Sequence, residues 1–459
     1  MSEPYFLFKK NVQSAVKNRP LQDKVTASNL KYASAFKEAR KQYQLLEAAR
    51  QRAAVLKWKA VENLDKYLIE FEANFIKSGG KVIWALDASD ALQEIAGILN
   101  RTKARRIVKS KSMVAEEIGL NQLLQQMEVK TVETDMGQFI IQLAHEKPSH
   151  LVAPALHKSK EEIAVLFYEK FKTSPSSTPE DLVKFTRNLM REKFIGAEAG
   201  ITGANFIVAD TGSVSVTENE GNAMLGMAFP KIHIVIAGIE KVIPSLTDLD
   251  LFMPLISTYG TGQQLTVYNS IISGPKQQDE KDGPEEMYVI LIDNDRTNVL
   301  SKPDQRQLLS CIKCSACLNV CPVFNSIGGH AYGTVYNGPI GTAITPLIKG
   351  YESYGFFSGA TTLCGRCTEA CPVKIDLHKV FLYNRRDAAK TKRASKSQKW
   401  FYMFWRKAML NRKVMNLGGV KSKKYLFDQV FKSWTGSRIM PKISAKSFND
   451  HWREKMNMR

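Results

Sequence analysis

The chain lacks the marks of membrane, secreted and dinucleotide-binding proteins. Among its 459 residues, no run approaches the roughly 18 consecutive apolar residues of a membrane-spanning helix. Residues 1–11 have no apolar core followed by a small-residue cleavage site, so we expect no secretory signal. No G-x-G-x-x-G sequence follows the strand predicted at residues 81–85, which argues against a dinucleotide site there. We therefore expect a cytoplasmic protein.

Cysteine is absent from residues 1–310 and 372–459. The seven cysteines lie in two motifs, C-x₂-C-x₂-C-x₃-C-P at residues 311–322 and C-x₂-C-x₃-C-P at residues 364–372. An odd number in one stretch of a long chain argues against a secreted disulfide framework. Zinc would explain two C-x₂-C pairs, but neither the third cysteine of the first motif nor the paired Cys-Pro endings. The spacing is typical of cubane iron–sulfur sites, and we predict two clusters.

The fourth cysteine of such a motif normally ligates the other cluster of the pair. In this crossed pattern the ligands of the first cluster, a [4Fe–4S] cluster, are Cys311, Cys314, Cys317 and Cys371. The ligands of the second are Cys321, Cys364 and Cys367. The second site therefore holds either a [3Fe–4S] cluster or a [4Fe–4S] cluster whose fourth iron is open or has another ligand.

Three side chains near the motifs are candidates for that fourth ligand: His330, Asp376 and His378. His330 is preferred because it lies in the glycine-rich insert between the motifs. An ordinary surface or hydrogen-bonded residue is the commoner role for each histidine.

Acidic residues are scarce at the end of the chain. Residues 383–459 contain 21 Lys and Arg against four Asp and Glu, and they hold four of the six tryptophans. We predict a basic, aromatic-rich helical tail there. Docking on a partner or another domain is its preferred role, and peripheral contact with an anionic membrane surface is second. Nucleic acid binding is not expected, since no helix-turn-helix signal accompanies the basic residues.

The rest of the chain changes from helical to mixed patterns. Residues 24–77 are rich in helix formers and contain no Pro or Gly, which predicts a long N-terminal helix. Strand patterns, the fourth at residues 150–153, then alternate with helical ones and predict a mostly parallel sheet. The predicted parts are an N-terminal helical segment, an α/β domain, an α-helical ferredoxin-type two-cluster domain and the tail, at residues 1–78, 79–299, 300–390 and 391–459.

Glycine-punctuated segments give the chain a family resemblance. Residues 200–222, together with Pro230-Lys-Ile-His233 and Gly238-Ile-Glu-Lys241, are similar to the signature of the LUD domain. Joined to both cysteine motifs, and to the glycine-rich residues 329–333 and 338–341, they make the chain resemble the lactate utilization protein B family. The resemblance covers roughly residues 24–386.

The resemblance implies a fold, a function and partners. The LUD domain of this family resembles the sugar-isomerase and CoA-transferase group, which implies an α/β domain with a mostly parallel sheet. The implied function is that of a cytoplasmic iron–sulfur subunit of a three-protein system that oxidises L-lactate to pyruvate. The implied partners are a cysteine-rich heterodisulfide-reductase-like subunit and a second, smaller LUD protein. The family's cluster ligands fall on the seven cysteines named above.

Small and polar residues of the LUD-like region form a candidate ligand site. Glycines and turn amides can approach a carboxylate or phosphate, and ligands of open α/β sheets bind at the carboxyl ends of strands. The candidates are Thr202, Gly203, Asn205, Asp210, Thr211, Asn219, Glu220 and Lys241. Structural turns are an equal alternative. For His233 a core position is the commoner outcome, and for Glu240 and Lys241 an exposed pair.

The leading hypothesis is an electron-transfer subunit, because two adjacent one-electron clusters can divide the two electrons released by lactate. No residue is identified as catalytic, so we expect a non-catalytic or co-catalytic subunit of an L-lactate dehydrogenase or oxidase complex. Three alternatives stay open: a subunit for another 2-hydroxy acid such as glycolate, an autonomous LUD-domain oxidoreductase, and a regulatory protein whose clusters sense oxygen or iron.

Overall fold

The computed structural model describes residues 2–391, 396–411, 413–414, 420–430 and 444–457. The chain divides into two compact units, residues 1–391 and 392–459. The boundaries predicted at residues 78 and 299 lie inside the first unit and stay predictions.

The strands of the first unit are β1 (Lys81–Ala85), β2 (Arg106–Lys109), β3 (Lys130–Glu133), β4 (Ala199–Gly203), β5 (Phe206–Val208), β6 (Ser213–Glu218), β7 (Ile232–Gly238), β8 (Val242–Ile243), β9 (Tyr268–Ile272) and β10 (Glu286–Ile292). Its helices up to the last strand are α1 (Glu3–Ala15), α2 (Arg19–Ala39), α3 (Leu46–Glu62), α4 (Leu64–Lys77), α5 (Ala88–Arg101), α6 (Met113–Ile118), α7 (Leu120–Gln126), α8 (Met136–Ala144), α9 (Lys160–Phe171), α10 (Pro179–Ile195), α11 (Asn222–Ala228) and α12 (Leu249–Thr261). The helices after that strand are α13 (Arg296–Leu300), α14 (Ala316–Asn319), α15 (Pro322–Ile327), α16 (Gly338–Ile348), α17 (Tyr351–Tyr354), α18 (Arg366–Glu369) and α19 (Leu377–Lys390).

Six strands form a wholly parallel sheet in the order β1-β10-β7-β4-β2-β3, which confirms the predicted α/β class. The central strand β7 is buried along its whole length, as expected for a parallel sheet covered on both faces. Its residues alternate between two apolar cores: Ile234 and Ile236 pack with α5, α6 and α7, whereas Val235 and Ala237 pack with α4. A second sheet, in the order β8-β5-β6-β9, lies in the same core as α4.

The N-terminal segment is helical, but the prediction of one long helix is wrong. A 3₁₀ turn at Arg40–Gln42 and extended Tyr43 separate α2 from α3, and Asn63, at φ −132°, separates α3 from α4. The side-chain amide of Asn63 donates a hydrogen bond of 2.8 Å to the Lys59 carbonyl, which would otherwise lack a partner at the break. An unbroken helix over residues 24–77 would be about 80 Å long. It could not keep its apolar residues on one compact core.

The strand predicted at residues 150–153 is also wrong. There the backbone amides of Val152 and Ala153 donate to the His150 Nδ1 atom at 3.1 and 3.0 Å. These local bonds close a turn, so the segment is not extended.

The N-terminal helices share an apolar core with the cysteine-rich module at residues 301–391. Ala15, Val25 and Ala53 of α1, α2 and α3 belong to the same cluster of buried side chains as α16 and α19. The Arg50 guanidinium of α3 donates to the carbonyls of Glu369 and Cys371 at 2.6 and 2.9 Å. The N-terminal segment therefore holds the second cysteine motif in place.

The second unit is helical where it is described, which confirms the predicted helical tail. Its helices are α20 (Lys396–Leu410), α21 (Val420–Val430) and α22 (Phe448–Asn457). Trp400 and Phe404 of α20 are 69% and 73% exposed. Trp434, another tail tryptophan, lies outside the described residues. Within the part of the chain that the structure describes, no helix combines the length and the apolar character needed to cross a bilayer.

Candidate cluster sites and ligand cavity

The seven cysteines are free thiols, and the effects of neighbouring thiols on their pKa values divide them into two groups. Burial raises the pKa of the Cys314 thiol, and the nearby thiols of Cys371 and Cys311 raise it further. Burial likewise raises the pKa of Cys367 to about 11, with Cys321 and Cys364 as neighbouring thiols that add to the effect. Cys371 of the second motif thus lies beside the first motif, and Cys321 of the first motif lies beside the second. The role of each cysteine as a ligand stays a prediction.

Unusual backbone conformations shape the loops that carry these thiols. Lys313 and Ser315, between the cysteines of the first motif, have φ angles of 58° and 68°. These left-handed residues turn the chain sharply. The Lys313 amide points at the Cys311 Sγ atom at 3.4 Å. Sequence spacing predicts the loop, but not which residue takes the left-handed conformation.

Backbone amides also point at sulfur atoms in the two Cys-Pro turns. The Phe324 amide lies 3.5 Å from the Cys321 Sγ atom, and the Ile375 amide lies 3.3 Å from the Cys371 Sγ atom. Hydrogen bonds of this kind favour the thiolate form and are one of the protein's means of tuning an iron–sulfur site. The donor set, grouped thiols with amides aimed at sulfur, fits iron–sulfur clusters.

The candidates for a fourth ligand of the second cluster are each held by another group. His330 Nε2 lies 2.6 Å from the Lys147 carbonyl oxygen, and Asp376 pairs with Lys379 at 2.6 Å. His378 Nδ1 lies 2.9 Å from the Thr368 hydroxyl. Because Thr368 directly follows Cys367, His378 is the candidate that the structure ties to the second group.

A cavity of about 320 Å³ lies where the LUD-like sheet meets the cysteine-rich module. Its walls include residues that follow β2 and β4, the last residues of β6, and part of α12. Ile312, Lys313, Cys314 and Tyr336 complete the wall from the module. The cavity is therefore at the carboxyl ends of parallel strands, where open α/β sheets bind ligands, and it shares a wall with the first cysteine group.

Five of the eight candidate residues line this cavity: Gly203, Asn205, Asn219, Glu220 and Lys241. The other three lie outside its lining and have structural contacts. Thr202 Oγ1 lies 2.8 Å from His233 Nε2, within the sheet. Asp210 accepts a hydrogen bond from the Leu246 amide at 3.0 Å.

The third residue, Thr211, lies in the same turn as Asp210 and accepts a hydrogen bond from the Ser213 hydroxyl at 2.8 Å. This turn carries Gly212, which has a φ of 59° and presses against the backbone of Phe75 in α4. Thr211 therefore belongs to a packed turn between β5 and β6.

Sequence reasoning missed several cavity residues, among them Ser110, Lys111, Ser112 and Asp135. The Lys111 ammonium donates to the Val152 carbonyl at 2.6 Å, and burial lowers its pKa. Residues 110–112 directly follow β2. The rule for strand ends that selected Gly203 and Asn205 would also have found them.

The cavity mixes charges of both signs. Burial raises the pKa of Glu220 to about 7, and the neighbouring Asp135 carboxylate raises it too. Burial lowers the pKa of Lys241 to about 8, opposed by Glu240. Near neutral pH, Glu220 thus exchanges its proton while Lys241 is largely charged. Such a cavity suits a small anion that is taken up with a proton.

Glu240 and Lys241 are buried, at 3% and 7% exposed, so the expectation of an exposed pair is wrong. Glu240 pairs with Arg296 at 2.5 Å, and this contact holds the pKa of Glu240 at about 2 despite its burial. The Lys57 ammonium caps the same turn by donating to the carbonyls of Glu240 and Val242 at 2.7 and 3.2 Å.

His233 is a core histidine, as expected. It is fully buried, and burial lowers its pKa to about 3.

Two family models match the chain, one in each of its two main parts. A model of the LUD domain matches residues 68–292, and a model of the 4Fe-4S dicluster domain matches residues 307–375. A DUF162 family protein from Deinococcus radiodurans aligns with 50% of this chain and 98% of its own, at 12% identity and a TM-score of 0.30.

Curated relatives match most of the chain. Lactate utilization protein B of Bacillus velezensis is 41% identical over 381 residues, which is 83% of this chain and 80% of the relative. The Bacillus subtilis protein of that name is 41% identical over 83% of this chain and 79% of its own. The Bacillus pumilus protein is 42% identical over 411 residues, 86% of this chain and 85% of its own. The chain carries a LUD domain and an iron–sulfur domain, and it belongs to the lactate utilization protein B family.

Proposed function

We propose that the chain is the iron–sulfur electron-transfer subunit of a cytoplasmic multi-protein system that oxidises L-lactate to pyruvate. The observation that carries this proposal is the shared wall between the LUD cavity and Cys314. A molecule bound in the cavity would lie beside Cys314 of the first cysteine group. The second cysteine group is next to the first, since Cys367 is among the thiols near Cys317. Family membership supplies lactate as the substrate.

The side chains of the cavity suit a 2-hydroxy carboxylate. Lys111, Lys241 and Lys313 supply positive charge for a carboxylate, and Asn205 supplies an amide for a hydroxyl or carbonyl oxygen. Glu220 holds or releases a proton near neutral pH. Glycolate, which has the same two functional groups, would fit the same contacts and is the alternative substrate.

The proposed cofactors are a [4Fe–4S] cluster on the first cysteine group and a three-cysteine [4Fe–4S] or [3Fe–4S] cluster on the second. When bound, they supply one-electron transfer. EPR of the oxidised protein separates the two types for the second site, because only a [3Fe–4S]⁺ cluster gives a signal in that state.

The proposed partners are a cysteine-rich heterodisulfide-reductase-like subunit and a second LUD protein, with the basic tail as a docking segment. The exposed aromatics of α20 support that role for the tail. Deleting residues 395–459 should abolish co-purification of the partners while iron content is unchanged. Unchanged complex formation would remove the tail from the interface. Binding of the tail only to anionic vesicles would assign it to a membrane surface instead.

The central experiment is an anaerobic lactate titration of the chain alone and of the assembled complex. We expect L-lactate to bleach the cluster absorbance of the complex, and to leave that of the isolated chain largely unchanged. Dithionite, which reduces clusters directly, controls for their presence in both samples.

The shared wall also favours a second candidate, an autonomous LUD-domain oxidoreductase in which the cavity holds substrate and the clusters accept its electrons. Full turnover of lactate by the isolated chain would establish that candidate and overturn the subunit proposal. A stoichiometric organic cofactor in the purified chain would point the same way.

A further inference from the structure

Two histidines and a carboxylate converge where a LUD loop meets the cysteine-rich module. Glu146 and His157 flank the loop that follows α8, and His330 lies in the 3₁₀ turn His330–Tyr332 of the insert. One ligand atom from each of the three residues lies within 4.8 Å of the other two. The two imidazole rings are 4.4 Å apart, centre to centre. The cluster is separate from the ligand cavity and from the cysteine groups.

Hydrogen bonds around His157 fix where its proton lies. The Ser149 hydroxyl donates to the Pro154 carbonyl at 2.9 Å. It must therefore accept the contact from His157 Nδ1, also at 2.9 Å. The proton of a neutral His157 is then on Nδ1, and Nε2 carries a lone pair. That lone pair faces the Glu146 Oε2 atom at 2.6 Å. Two acceptors at this distance require a proton between them, and a metal ion would take its place only as the contact lengthens.

His330 is oriented in the same way. Its Nε2 atom lies 2.6 Å from the Lys147 carbonyl oxygen, which can only accept. A neutral His330 therefore has its proton on Nε2 and its lone pair on Nδ1. In each histidine, an oxygen atom binds one ring nitrogen, so the lone pair of the neutral ring is on the other nitrogen. Metal-binding imidazoles are usually oriented by such acceptors.

We propose that Glu146, His157 and His330 bind a divalent transition-metal ion of the zinc class. Two imidazoles and one carboxylate are a known zinc donor set that leaves a fourth position for water. Imidazole nitrogens make the set unsuitable for magnesium or calcium, which prefer oxygen. Ligand atoms around a tetrahedral zinc ion lie about 3.3 Å apart, so the contact between His157 and Glu146 must open by less than about 1 Å.

Neighbouring charges set limits on the affinity. Lys158 pairs with the other oxygen of Glu146, Oε1, at 2.7 Å and leaves Oε2 for the metal. The Lys24 ammonium donates to the His157 carbonyl at 3.1 Å. Both ammonium groups repel a dication, so the site is weaker than a cysteine-based structural zinc site. A bound ion would join the LUD loop to the insert between the two cysteine motifs.

The test is equilibrium dialysis of the full-length, cluster-loaded protein against zinc under anaerobic conditions, with zinc and iron measured together. We expect the wild-type protein to bind one equivalent of zinc with unchanged iron. The His157→Gln and His330→Gln variants should each bind at least tenfold more weakly. The His145→Gln variant is the matched control, since His145 directly precedes Glu146 in the chain but is not part of the cluster.

Zinc should also raise the unfolding midpoint of the wild-type and His145→Gln proteins, and not that of the other two variants. Circular dichroism and iron content report whether each variant is folded. Equal zinc binding by wild type and all variants would overturn the proposal. So would zinc uptake that rises only as iron is lost, because that zinc would be on the cysteines. No zinc binding by a folded wild-type protein would show that a proton fills the gap, and it would also overturn the proposal.

Discussion

The Tyr336 hydroxyl donates a hydrogen bond of 2.5 Å to the Glu117 carboxylate. Tyr336 comes from the insert between the cysteine motifs, and Glu117 comes from α6 on the LUD sheet. Arg296 joins Glu117 to Glu240 through contacts of 2.9 and 2.5 Å. The Lys313 ammonium lies 4.3 Å from the centre of the Tyr336 ring. One buried network thus connects the LUD sheet, the cavity and the loop of the first cysteine motif.

Replacing Tyr336 with phenylalanine should weaken this junction. The change removes a hydrogen bond to a buried carboxylate, so the free energy of unfolding should fall by about 1.5–3 kcal/mol. Chemical denaturation under anaerobic conditions measures the effect. Tyr168→Phe is the control, because Tyr168 is 45% exposed and its hydroxyl can bind water. Equal stability of the two variants would show that the bond between Tyr336 and Glu117 contributes nothing.

The crossed grouping of cysteines makes a spectroscopic prediction. Cys371→Ser should alter the same cluster signal as Cys311→Ser, because these two thiols lie in one group. Cys321→Ser should alter the same signal as Cys364→Ser. EPR of the reduced and oxidised variants, with iron content, provides the measurement. If instead Cys371→Ser matched Cys364→Ser, each motif would bind its own cluster and the crossed assignment would be wrong.

Anion binding in the cavity should depend on pH through Glu220. Its pKa of about 7 means that the neutral form predominates below neutrality. An anion binds the neutral form better, so affinity for pyruvate or L-lactate should fall as pH rises, by up to about tenfold from pH 6 to pH 8. Calorimetry measures this, and Glu220→Gln should leave only a fall of up to about twofold by pH 8, which comes from Lys241 with its pKa of about 8.

The matched control is Glu161→Gln, which changes an exposed glutamate of α9 outside the cavity. It should keep the pH dependence of the wild-type protein. A tenfold pH dependence that persists in Glu220→Gln would assign the titration to another group.

Two glycines should respond to alanine in opposite directions. A Cβ atom on Gly212 would lie 2.3 Å from the Phe75 amide nitrogen, and its φ of 59° disfavours any side chain. The left-handed backbone alone costs alanine about 1–2 kcal/mol, and the clash with α4 adds to it. Gly97, inside α5, has open space where a Cβ would go. Gly97→Ala should therefore stabilise the protein by about 0.5–1 kcal/mol. Thermal unfolding of both variants provides the comparison, and a stable Gly212→Ala would contradict the packing of this turn.

The parallel sheet could be predicted because its strands are short apolar runs separated by helical patterns. In β7 every residue is buried, and the sequence shows this directly as a run from Ile232 to Gly238. The breaks at Tyr43 and Asn63 could not be predicted, since no Pro or Gly marks them. Packing of successive helices on one core decides where they turn.

The candidate site could be predicted only for residues that directly follow a strand in the sequence and also lie at the end of that strand in the structure. Gly203 and Asn205 were found because ligands bind after parallel strands. Thr202, one residue earlier, faces the interior of the sheet and contacts His233, since successive residues of a strand point to opposite sides. Tyr336 could not be found, because it reaches the cavity from another part of the chain.

The bonds from Arg50 to the carbonyls of Glu369 and Cys371 have a consequence for biosynthesis. At about 5–20 residues per second, a ribosome needs about 16–64 s to make the 321 residues that separate Arg50 from Cys371. During that interval the part of α3 around Arg50 lacks these partners, and the nascent chain must remain unaggregated without them. The crossed assignment of ligands predicts that stable loading of iron follows completion of the second motif, and that an interrupted translation product yields neither site.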